Sequence, residues 1–353
     1  MRNAGNDTMK DEKKKMRILV TGATGFIGSH LSEKLAKEGY NVRALIRKKE
    51  AEKIPADRRD ALELLKNLDI ELCFGDLLDK ESLKKAVKDR GIIFHLAAIA
   101  RPMAIPNEKY FEINEKGTEN LLEACKGNRK IKKIIVMSSV SAVGPTKNSV
   151  GVNEMTECYP VDVYGWSKLA EEKVCRKYQE NYNLPIVILR PPMVFGPRDF
   201  EMLKLFKAVD KRFFPISGNE KCMEFLYVGN LVNACLLAME KGKDGEKYHI
   251  SNGEHYSINE IINEIEKAEG KRLLPVKFPK FVFVFGGYAV EILAKILNIH
   301  PPFKHDTVKW MTEKFWYSDI SKARKELGYS PEFSLEEGVR ETVKYYKEKG
   351  YCK

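Results

Sequence analysis

The sequence predicts an α/β protein built on a Rossmann-type, doubly wound parallel sheet, with a smaller and mostly C-terminal lobe. Short apolar runs alternate with segments of helical periodicity from about residue 16 to residue 190, which is the pattern of a parallel sheet covered by helices. The first apolar run also passes through three glycines directly into a helical segment. After Arg190-Pro191-Pro192 the alternation weakens, and proline, glycine and aromatic residues increase.

Six short apolar runs are predicted strands, at residues 16–20, 41–46, 70–74, 92–96, 133–137 and 185–189. Apolar residues at helical spacing predict helices that follow the glycines and that cover 50–68, 80–88, 110–126 and 164–182. A long loop rich in turn-forming residues is expected at 141–162. Ligands of such folds bind beyond the carboxyl ends of the strands, so we expect the functional site in the loops that follow them.

The three glycines Gly22, Gly25 and Gly28 stand where the first strand becomes a helix. Gly22 permits a sharp turn, because a glycine adopts backbone angles that a Cβ forbids. Gly25 allows backbone N–H groups to approach a ligand, and Gly28 allows the helix to lie close to the strand. The N-terminus of the helix then offers unpaired N–H groups to an anion. This pattern predicts a dinucleotide site, whereas the alternative is a turn with only a structural role.

We divide the 353 residues into three parts. Residues 1–15 are polar and basic without an apolar core, and we expect them to be disordered. Residues 16–190 form the predicted NAD(P)-binding Rossmann domain. Residues 191–353 form mainly a substrate-binding lobe, with segments at about 225–252 returning to the first domain, because residues 247–250 again have the pattern of a strand.

The composition excludes several classes of protein. The net charge is +11, but the lysines are interspersed with acidic residues, so we expect no nucleic-acid partner. Seven widely spaced cysteines without a CxxC pair favour free thiols in the cytoplasm and argue against a metal site. No apolar run is long enough to span a bilayer.

Tyr164 and Lys168 lie one turn apart at the start of a predicted helix, so they share one face. A lysine ammonium stabilises a nearby phenolate and lowers the pKa of the tyrosine, which could then exchange a proton with a substrate oxygen. The alternative is a chance pair of surface residues. Ser139, at the end of the fifth predicted strand, could hydrogen-bond the same oxygen. Ser138 and Ser141 compete for this role, since any of these serines could instead cap a turn.

Together these motifs resemble the extended short-chain dehydrogenase/reductases, the NAD(P)-dependent epimerase/dehydratase superfamily. The resemblance runs from about residue 16 to the C-terminus, and its nearest branch is that of the 3β-hydroxysteroid dehydrogenases and dihydroflavonol reductases. The matching pieces are 21–28, Gly75-Asp76-Leu77, His95-Leu96-Ala97-Ala98, Asn114 with Gly117-Thr118, Ser138-Ser139 with Val143-Gly144, Tyr164 with Lys168, 190–197, 319–331 and Glu337-Gly338.

The resemblance implies a catalytic role for four residues. Tyr164 would be the acid–base, and Lys168 would hold the ribose hydroxyls and tune Tyr164. Ser139 would orient the reacting oxygen, since counting back from Val143-Gly144 favours it over Ser138. Asn114 would help to position Lys168. His95 is expected to be a packed residue at a strand end.

The resemblance also implies which residues bind the cofactor. The adenine would contact Asp76 and Leu77, and the phosphate–ribose region would contact Ala97. The full predicted set is Gly22, Thr24, Gly25, Phe26, Ile27, Gly28, Arg47, Asp76, Leu77, Ala97, Ala98, Tyr164, Lys168, Pro191 and Val194.

The end of the second strand indicates which cofactor is preferred. Sites that prefer NAD place an acidic residue there to bind the ribose hydroxyls, and this strand has none. Arg47 instead stands where a guanidinium could pair with a 2′-phosphate. We therefore predict a preference for NADP(H), with NAD(H) as the alternative if Arg47 and Lys48 are only a solvated helix start.

Two departures from the family pattern bear on the substrate. Nucleotide-sugar enzymes of the family commonly have an asparagine at Met193 and often an arginine at Met223, both of which contact the diphosphate. The methionines favour an apolar wall and an uncharged substrate. We therefore expect hydride transfer between nicotinamide and a secondary alcohol or ketone on a steroid-, terpenoid- or flavonoid-like molecule. The alternative is a nucleotide-sugar epimerase or dehydratase with tightly held NAD(P).

The aromatic segment 279–303 has three possible roles: it could line an apolar pocket, cover it, or rest on a membrane surface. A packed helix of the second lobe is an equal alternative. Family analogy predicts a homodimer that uses the helices beginning near Tyr110 and Tyr164.

Overall fold

The computed structural model describes residues 13, 15–48, 55–100, 105–146, 151–217, 222–278 and 315–353. Most of the predicted tail and the whole of segment 279–303 lie outside these residues. Lys13, near the end of that tail, forms an ion pair with Glu38 at 2.9 Å. No helix in the described part of the chain is long and apolar enough to cross a membrane.

A seven-stranded parallel sheet forms the centre of the fold, with the strand order β11-β6-β5-β4-β1-β2-β3. Its strands are β1 (Arg17–Thr21), β2 (Asn41–Ile46), β3 (Ile70–Phe74), β4 (Ile92–His95), β5 (Lys133–Met137), β6 (Ile186–Arg190) and β11 (Lys247–His249). The predicted Rossmann-type sheet is confirmed, and β11 pairs with β6 where residues 247–250 were expected to form a strand. The chain reverses direction across the sheet between β1 and β4, which places a binding crevice at the end of β1.

Helices cover both faces of the sheet and continue into the C-terminal part of the chain. They are α1 (Phe26–Lys37), α2 (Arg59–Lys66), α3 (Lys80–Val87), α4 (Glu108–Phe111), α5 (Gly117–Cys125), α6 (Val163–Tyr182), α7 (Leu203–Asp210), α8 (Val228–Lys241), α9 (Ile258–Glu269), α10 (Ser321–Leu327) and α11 (Leu335–Glu348). Shorter 3₁₀ turns lie at Ala56–Arg58 and Val140–Ala142.

The helix predicted at 110–126 is interrupted. A wide π-helical turn, Glu112–Lys116, joins α4 to α5. At its centre Asn114 is buried, and its side chain exchanges two hydrogen bonds with the backbone of Ile99. Because that partner lies on another segment, helical periodicity alone did not reveal the turn.

Three small sheets accompany the main one. They are built from β7 (Met193–Phe195), β8 (Phe213–Ser217), β9 (Cys222–Met223), β10 (Phe225–Tyr227), β12 (Tyr256–Ser257), β13 (Leu274–Phe278) and β14 (Phe315–Trp316). In these sheets β10 pairs with β7, β13 pairs with β8, and β9 lies between β12 and β14. This pairing places Met193 on β7 and Met223 on β9, at the start of the C-terminal part of the chain.

Asn230, near the start of α8, ties the C-terminal segment to this region. Its Oδ1 accepts the backbone N–H groups of Glu332 at 2.9 Å and Phe333 at 3.0 Å. Its Nδ2 donates to the carbonyl of Phe333 at 2.8 Å and to Oδ1 of Asn252 at 3.2 Å. A side chain that both accepts and donates is required here, and an amide can do both whereas a carboxylate can only accept.

We expect Asn230→Asp to lower the free energy of unfolding by about 1–3 kcal/mol, because a carboxylate oxygen would face the Phe333 carbonyl without a proton. Denaturant unfolding measures this. Asn153→Asp is the matched control, since the exposed Asn153 side chain only accepts, from the backbone N–H of Met155 and the hydroxyl of Thr156. Equal stability of the two variants would contradict the role given to Asn230.

Candidate active site

The glycine turn follows β1 directly and is fixed by close packing. Gly22 has a φ of +71°, and a Cβ at this position would lie 2.7 Å from the backbone nitrogen of Ala97. A Cβ on Gly28 would overlap the carbonyl of Gly22, so α1 can approach β1 only because both residues are glycine. The close helix–strand packing expected from the sequence is present.

A cavity of about 530 Å³ opens from this turn toward the C-terminal part of the chain. Thirteen predicted site residues line it: Gly22, Gly25, Phe26, Ile27, Gly28, Ala98, Ser139, Tyr164, Lys168, Pro191, Met193, Val194 and Met223. The cradle formed by Gly22, Gly25 and Gly28 leaves room for a pyrophosphate beside the N-terminus of α1, so the residues present fit a dinucleotide.

Six other predicted residues do not line this cavity: Thr24, Arg47, Asp76, Leu77, Ala97 and Asn114. Leu77 is buried and packs against Gly117, and the Asp76 carboxylate caps its own turn by accepting the N–H of Leu78 at 2.9 Å. Neither lines this cavity, and their contact with the adenine stays a prediction.

The structure adds Asp57 and Arg58 to the cavity wall. Nη1 of Arg58 donates to Oγ1 of Thr24 at 3.4 Å, so a cation lies beside the glycine turn. Sequence reasoning placed both residues within a helix at 50–68. Both residues reach the glycine turn because they lie in a 3₁₀ turn before α2. In the sequence, the signal for this position was the pair of opposite charges in the helical pattern.

Ser139 and Tyr164 meet in the cavity. The N–H of Ser141 donates to Oγ of Ser139 at 3.1 Å, and the Ser139 hydroxyl lies beside the phenol of Tyr164. Burial is the largest influence on that phenol and raises its pKa, while the Ser139 contact lowers it and the charge of Glu171 raises it further.

Lys168 lines the same cavity as Tyr164. Its ammonium forms an ion pair with Glu171, three residues later on α6, and both side chains are only 1% exposed. The pKa of Tyr164 is raised, first by burial, so its expected lowering by Lys168 stays a prediction.

Ser138 is engaged in a separate buried network. Its hydroxyl donates to Oε1 of Glu172 at 2.6 Å. The Arg190 guanidinium holds the same carboxylate with two hydrogen bonds, of 2.8 Å to Oε1 and 2.6 Å to Oε2. With Ser138 committed to Glu172 and Ser139 facing Tyr164, the geometry favours Ser139 as the hydroxyl next to the reacting oxygen.

Asn114 was expected to help to position Lys168, and its hydrogen bonds reach the start of the helix that carries Lys168. Its Nδ2 donates to Oγ of Ser167 at 2.8 Å, and that hydroxyl donates to the carbonyl of Tyr164 at 2.7 Å. Asn114 therefore acts on the first turn of α6, which carries the tyrosine, and on the loop at Ile99.

His95 is fully buried at the end of β4, as its interpretation as a packed residue requires. Its ring nitrogens lie 2.8 Å from Oγ1 of Thr21 and 2.8 Å from Oγ1 of Thr118. Burial lowers the pKa of its imidazole to about 3, so the ring is neutral at physiological pH.

The far side of the cavity combines apolar side chains with the charged Arg198, Asp199, Glu201 and Glu224. Met193, Phe200, Met202, Met223 and Trp316 contribute to it. Arg198 also lies there, but its guanidinium donates to the Glu33 carboxylate at 2.8 Å. The two methionines are thus brought together on the wall where the sequence placed the substrate.

Glu224 is a lining residue that sequence reasoning missed. Its side chain is 1% exposed and accepts the hydroxyls of Ser251 at 2.8 Å and Ser318 at 2.6 Å. Burial raises the pKa of this carboxyl to about 7. Since both serines are distant in sequence, no local pattern revealed the buried acid.

Residues 18–257 match the model of the NAD dependent epimerase/dehydratase family. The match covers the sheet, the glycine turn and the Tyr164 helix. The chain belongs to this family. The prediction of an extended short-chain dehydrogenase/reductase fold and of an NAD(P)-dependent enzyme is thereby confirmed.

Two curated relatives span almost the whole chain. The chain is 25% identical to the mouse (Mus musculus) sterol-4-alpha-carboxylate 3-dehydrogenase, decarboxylating, over 97% of this chain and 94% of the relative. It is 28% identical to the 2-alkyl-3-oxoalkanoate reductase of Shewanella oneidensis, over 91% of this chain and 84% of the relative.

A solved structure of the family is similar throughout. The Bacillus cereus UDP-glucuronic acid 4-epimerase in complex with NAD superposes with a TM-score of 0.76 at 30% identity, covering 94% of this chain and 99% of that chain. The family therefore includes relatives named for net oxidation or reduction and relatives named for epimerisation.

Glu224 supplies a pH-dependent stability test. Its folded pKa of about 7 exceeds the ordinary 4.5, so the folded state holds the proton more tightly and stability falls as pH rises between these values. In Glu224→Gln both serines keep a hydrogen-bond partner, and the cost of burying a charged carboxylate at high pH is removed. We expect it to raise the free energy of unfolding by about 2 kcal/mol at pH 8. Denaturant unfolding should show little difference near pH 4.5, and an equal effect at both pH values would contradict the assignment.

Proposed function

We propose that this family member is an NAD(P)-dependent oxidoreductase that transfers hydride between nicotinamide and a secondary alcohol or ketone on an apolar small molecule. One observation carries the proposal: Ser139 and Tyr164 face the same cavity as the glycine turn, opposite a wall that contains Met193 and Met223. Steroid-, terpenoid- or flavonoid-like molecules suit such a wall.

The residues of the chain divide the chemistry among them. The bound nicotinamide supplies or accepts the hydride. In the direction of reduction the Tyr164 phenol donates its proton to the carbonyl oxygen, and in oxidation its phenolate takes the proton of the hydroxyl. The Ser139 oxygen already accepts the N–H of Ser141, which leaves its proton for the same substrate oxygen. Lys168 would hold the ribose hydroxyls.

The names of the two curated relatives support an apolar substrate. One is named for a sterol and the other for an alkyl-substituted oxoalkanoate, and both names describe a change of oxidation state. The physiological substrate would then carry its secondary alcohol or ketone on a hydrocarbon body.

Nucleotide-sugar epimerisation is the second candidate, because the B. cereus epimerase shares the fold over almost its whole length. The cavity favours the first candidate. Met193 and Met223 cannot hydrogen-bond a diphosphate, and the nearby Arg198 is already paired with Glu33.

We propose NADP(H) as the preferred cofactor, with NAD(H) as the alternative. Thr21 pairs with Leu45 in the sheet, so Arg47 follows β2 at the same edge as the glycine turn. Arg58 adds a second cation beside Thr24. Two guanidinium groups and no acid at the end of β2 suit a 2′-phosphate.

We further propose a homodimer formed through α4, the π turn and α6. A groove there is lined by both apolar and charged side chains, among them Phe111, Trp166 and Val174, and Trp166 is 48% exposed.

We propose the reducing cytoplasm as the location of the protein. The cysteines in the described part of the chain are free, which suits that compartment.

Tyr164→Phe tests the proposed chemistry. We expect turnover of an apolar secondary alcohol to fall by about three orders of magnitude or more, because the proposed mechanism moves the proton through the phenol. The dissociation constant for NADPH, measured by fluorescence titration, should change less than about threefold, since the phenyl ring remains. Turnover near the wild-type rate would contradict the mechanism.

Arg47→Asp tests the cofactor preference. Loss of a charge-assisted pair with the 2′-phosphate should weaken NADPH binding by about 10- to 100-fold and leave NADH binding nearly unchanged. Lys66→Asp, an exposed residue at the end of α2, is the control for a general change of charge. The preference would be contradicted if the wild-type protein bound NADPH and NADH with equal affinity and Arg47→Asp did not alter these affinities.

A further inference from the structure

Two adjacent acids, Glu171 and Glu172, are buried in the middle of α6. The Glu172 carboxylate accepts hydrogen bonds from Arg190 and Ser138. Glu171 has no part in the chemistry described above, yet it is 1% exposed and burial raises the pKa of its carboxyl. A buried carboxylate is costly unless it is compensated, so its contacts identify what it does.

The two carboxylate oxygens of Glu171 have different partners. Oε2 faces the Lys168 ammonium as an ion pair and has no other partner among the described residues. Oε1 lies 3.1 Å from Oγ1 of Thr118 on α5. The same hydroxyl lies 2.6 Å from the carbonyl of Asn114, so its one proton serves two acceptors. The carboxylate therefore compensates the lysine on one side and lies against Thr118 of a neighbouring helix on the other.

These contacts continue to the glycine turn. Oγ1 of Thr21 accepts the N–H groups of Leu96 and Ala97, each at 3.2 Å, so its own proton is free for Nδ1 of His95. The neutral ring then carries its proton on Nε2 and donates it to Oγ1 of Thr118. Polar contacts thus run without a gap from Lys168 to the residue before Gly22.

We propose that Glu171 is a positioning residue of the active site: its buried carboxylate holds the Lys168 ammonium and, through Thr118 and His95, couples it to the glycine turn. The inference rests on the proposed function, from which Lys168 and Tyr164 take their roles. The carboxylate also reduces the positive potential that the ammonium exerts on the tyrosine.

The other ionisable groups around Glu171 are either paired or neutral, so the effect of its charge on Tyr164 can be measured separately. The groups facing Glu171 are Lys168, Glu172 and Cys175 on its own helix, His95 on β4 and Thr118 on α5. Arg190 balances Glu172, and burial keeps the thiol and the imidazole neutral. Ser139 and Asp162 face Tyr164 from the preceding loops.

Neutralising Glu171 should therefore lower the pKa of Tyr164. The negative charge of Glu171 raises that pKa, and its removal leaves the ammonium unbalanced beside the phenol. Activity that requires the phenolate should then appear at lower pH.

The first experiment measures the energetic coupling between Glu171 and Lys168 in the absence of cofactor and substrate. Urea unfolding is compared for wild type, Glu171→Gln, Lys168→Gln and the double variant. Glu180→Gln is the control, because it removes an exposed ion pair with Arg176 on the same helix. We expect Glu171→Gln to raise the unfolding equilibrium constant about tenfold or more, and the double variant to be at least about tenfold more stable than additivity predicts. The control should change this constant less than about threefold.

The second experiment measures the pH profile of alcohol oxidation. In Glu171→Gln the rising limb should move to lower pH by about one pH unit, and in Glu180→Gln it should not move. A merely structural role would lower activity equally at every pH. Additive stabilities, or a limb that does not move, would overturn the proposal.

Two further outcomes stay decisive. If Glu171→Gln does not fold but the double variant does, charge compensation is supported. If neither folds, the carboxylate serves packing and the proposal is overturned. Retained turnover in Tyr164→Phe would contradict the proposed function alone, since the unfolding measurements need no catalysis.

Discussion

The burial of four charges around α6 is the constraint on which the active site depends. Lys168 and Glu171 form one pair on the side of α5, while Glu172 and Arg190 form another on the side of β6. Removal of one partner from such a pair leaves an uncompensated buried charge and costs about 3–5 kcal/mol. When both pairs form, they favour one rotation of α6 against the sheet, in which Tyr164 faces the cavity.

The same constraint separates the two serines that follow β5. The pair formed by Glu172 and Arg190 binds Ser138, so Ser139 is the hydroxyl left beside the tyrosine. The assignment that the sequence could make only by counting from Val143-Gly144 thus has a physical cause. Both serines line the cavity, but they differ because the Ser138 hydroxyl is held by Glu172.

Local pattern predicted the elements but not the long-range polar contacts. The bounds of β2, β3 and β5 agree with the prediction, because each is a short, mainly apolar run bounded by polar residues or glycine. The spacing of Lys168 and Glu171 was equally visible, yet their pairing depends on burial against Thr118 and His95. The position of Arg58 and the burial of Glu224 likewise depend on contacts with distant segments.

Net transfer of hydride between the cofactor and the substrate separates the proposed function from that of epimerases built on the same fold. The most direct measurement follows the absorbance of the reduced nicotinamide while the purified protein turns over a panel of apolar secondary alcohols with NADP⁺. We predict that reduced cofactor accumulates in proportion to the ketone formed. Conversion of a nucleotide sugar over many turnovers with no change in that absorbance, and no reaction with any alcohol, would contradict the account.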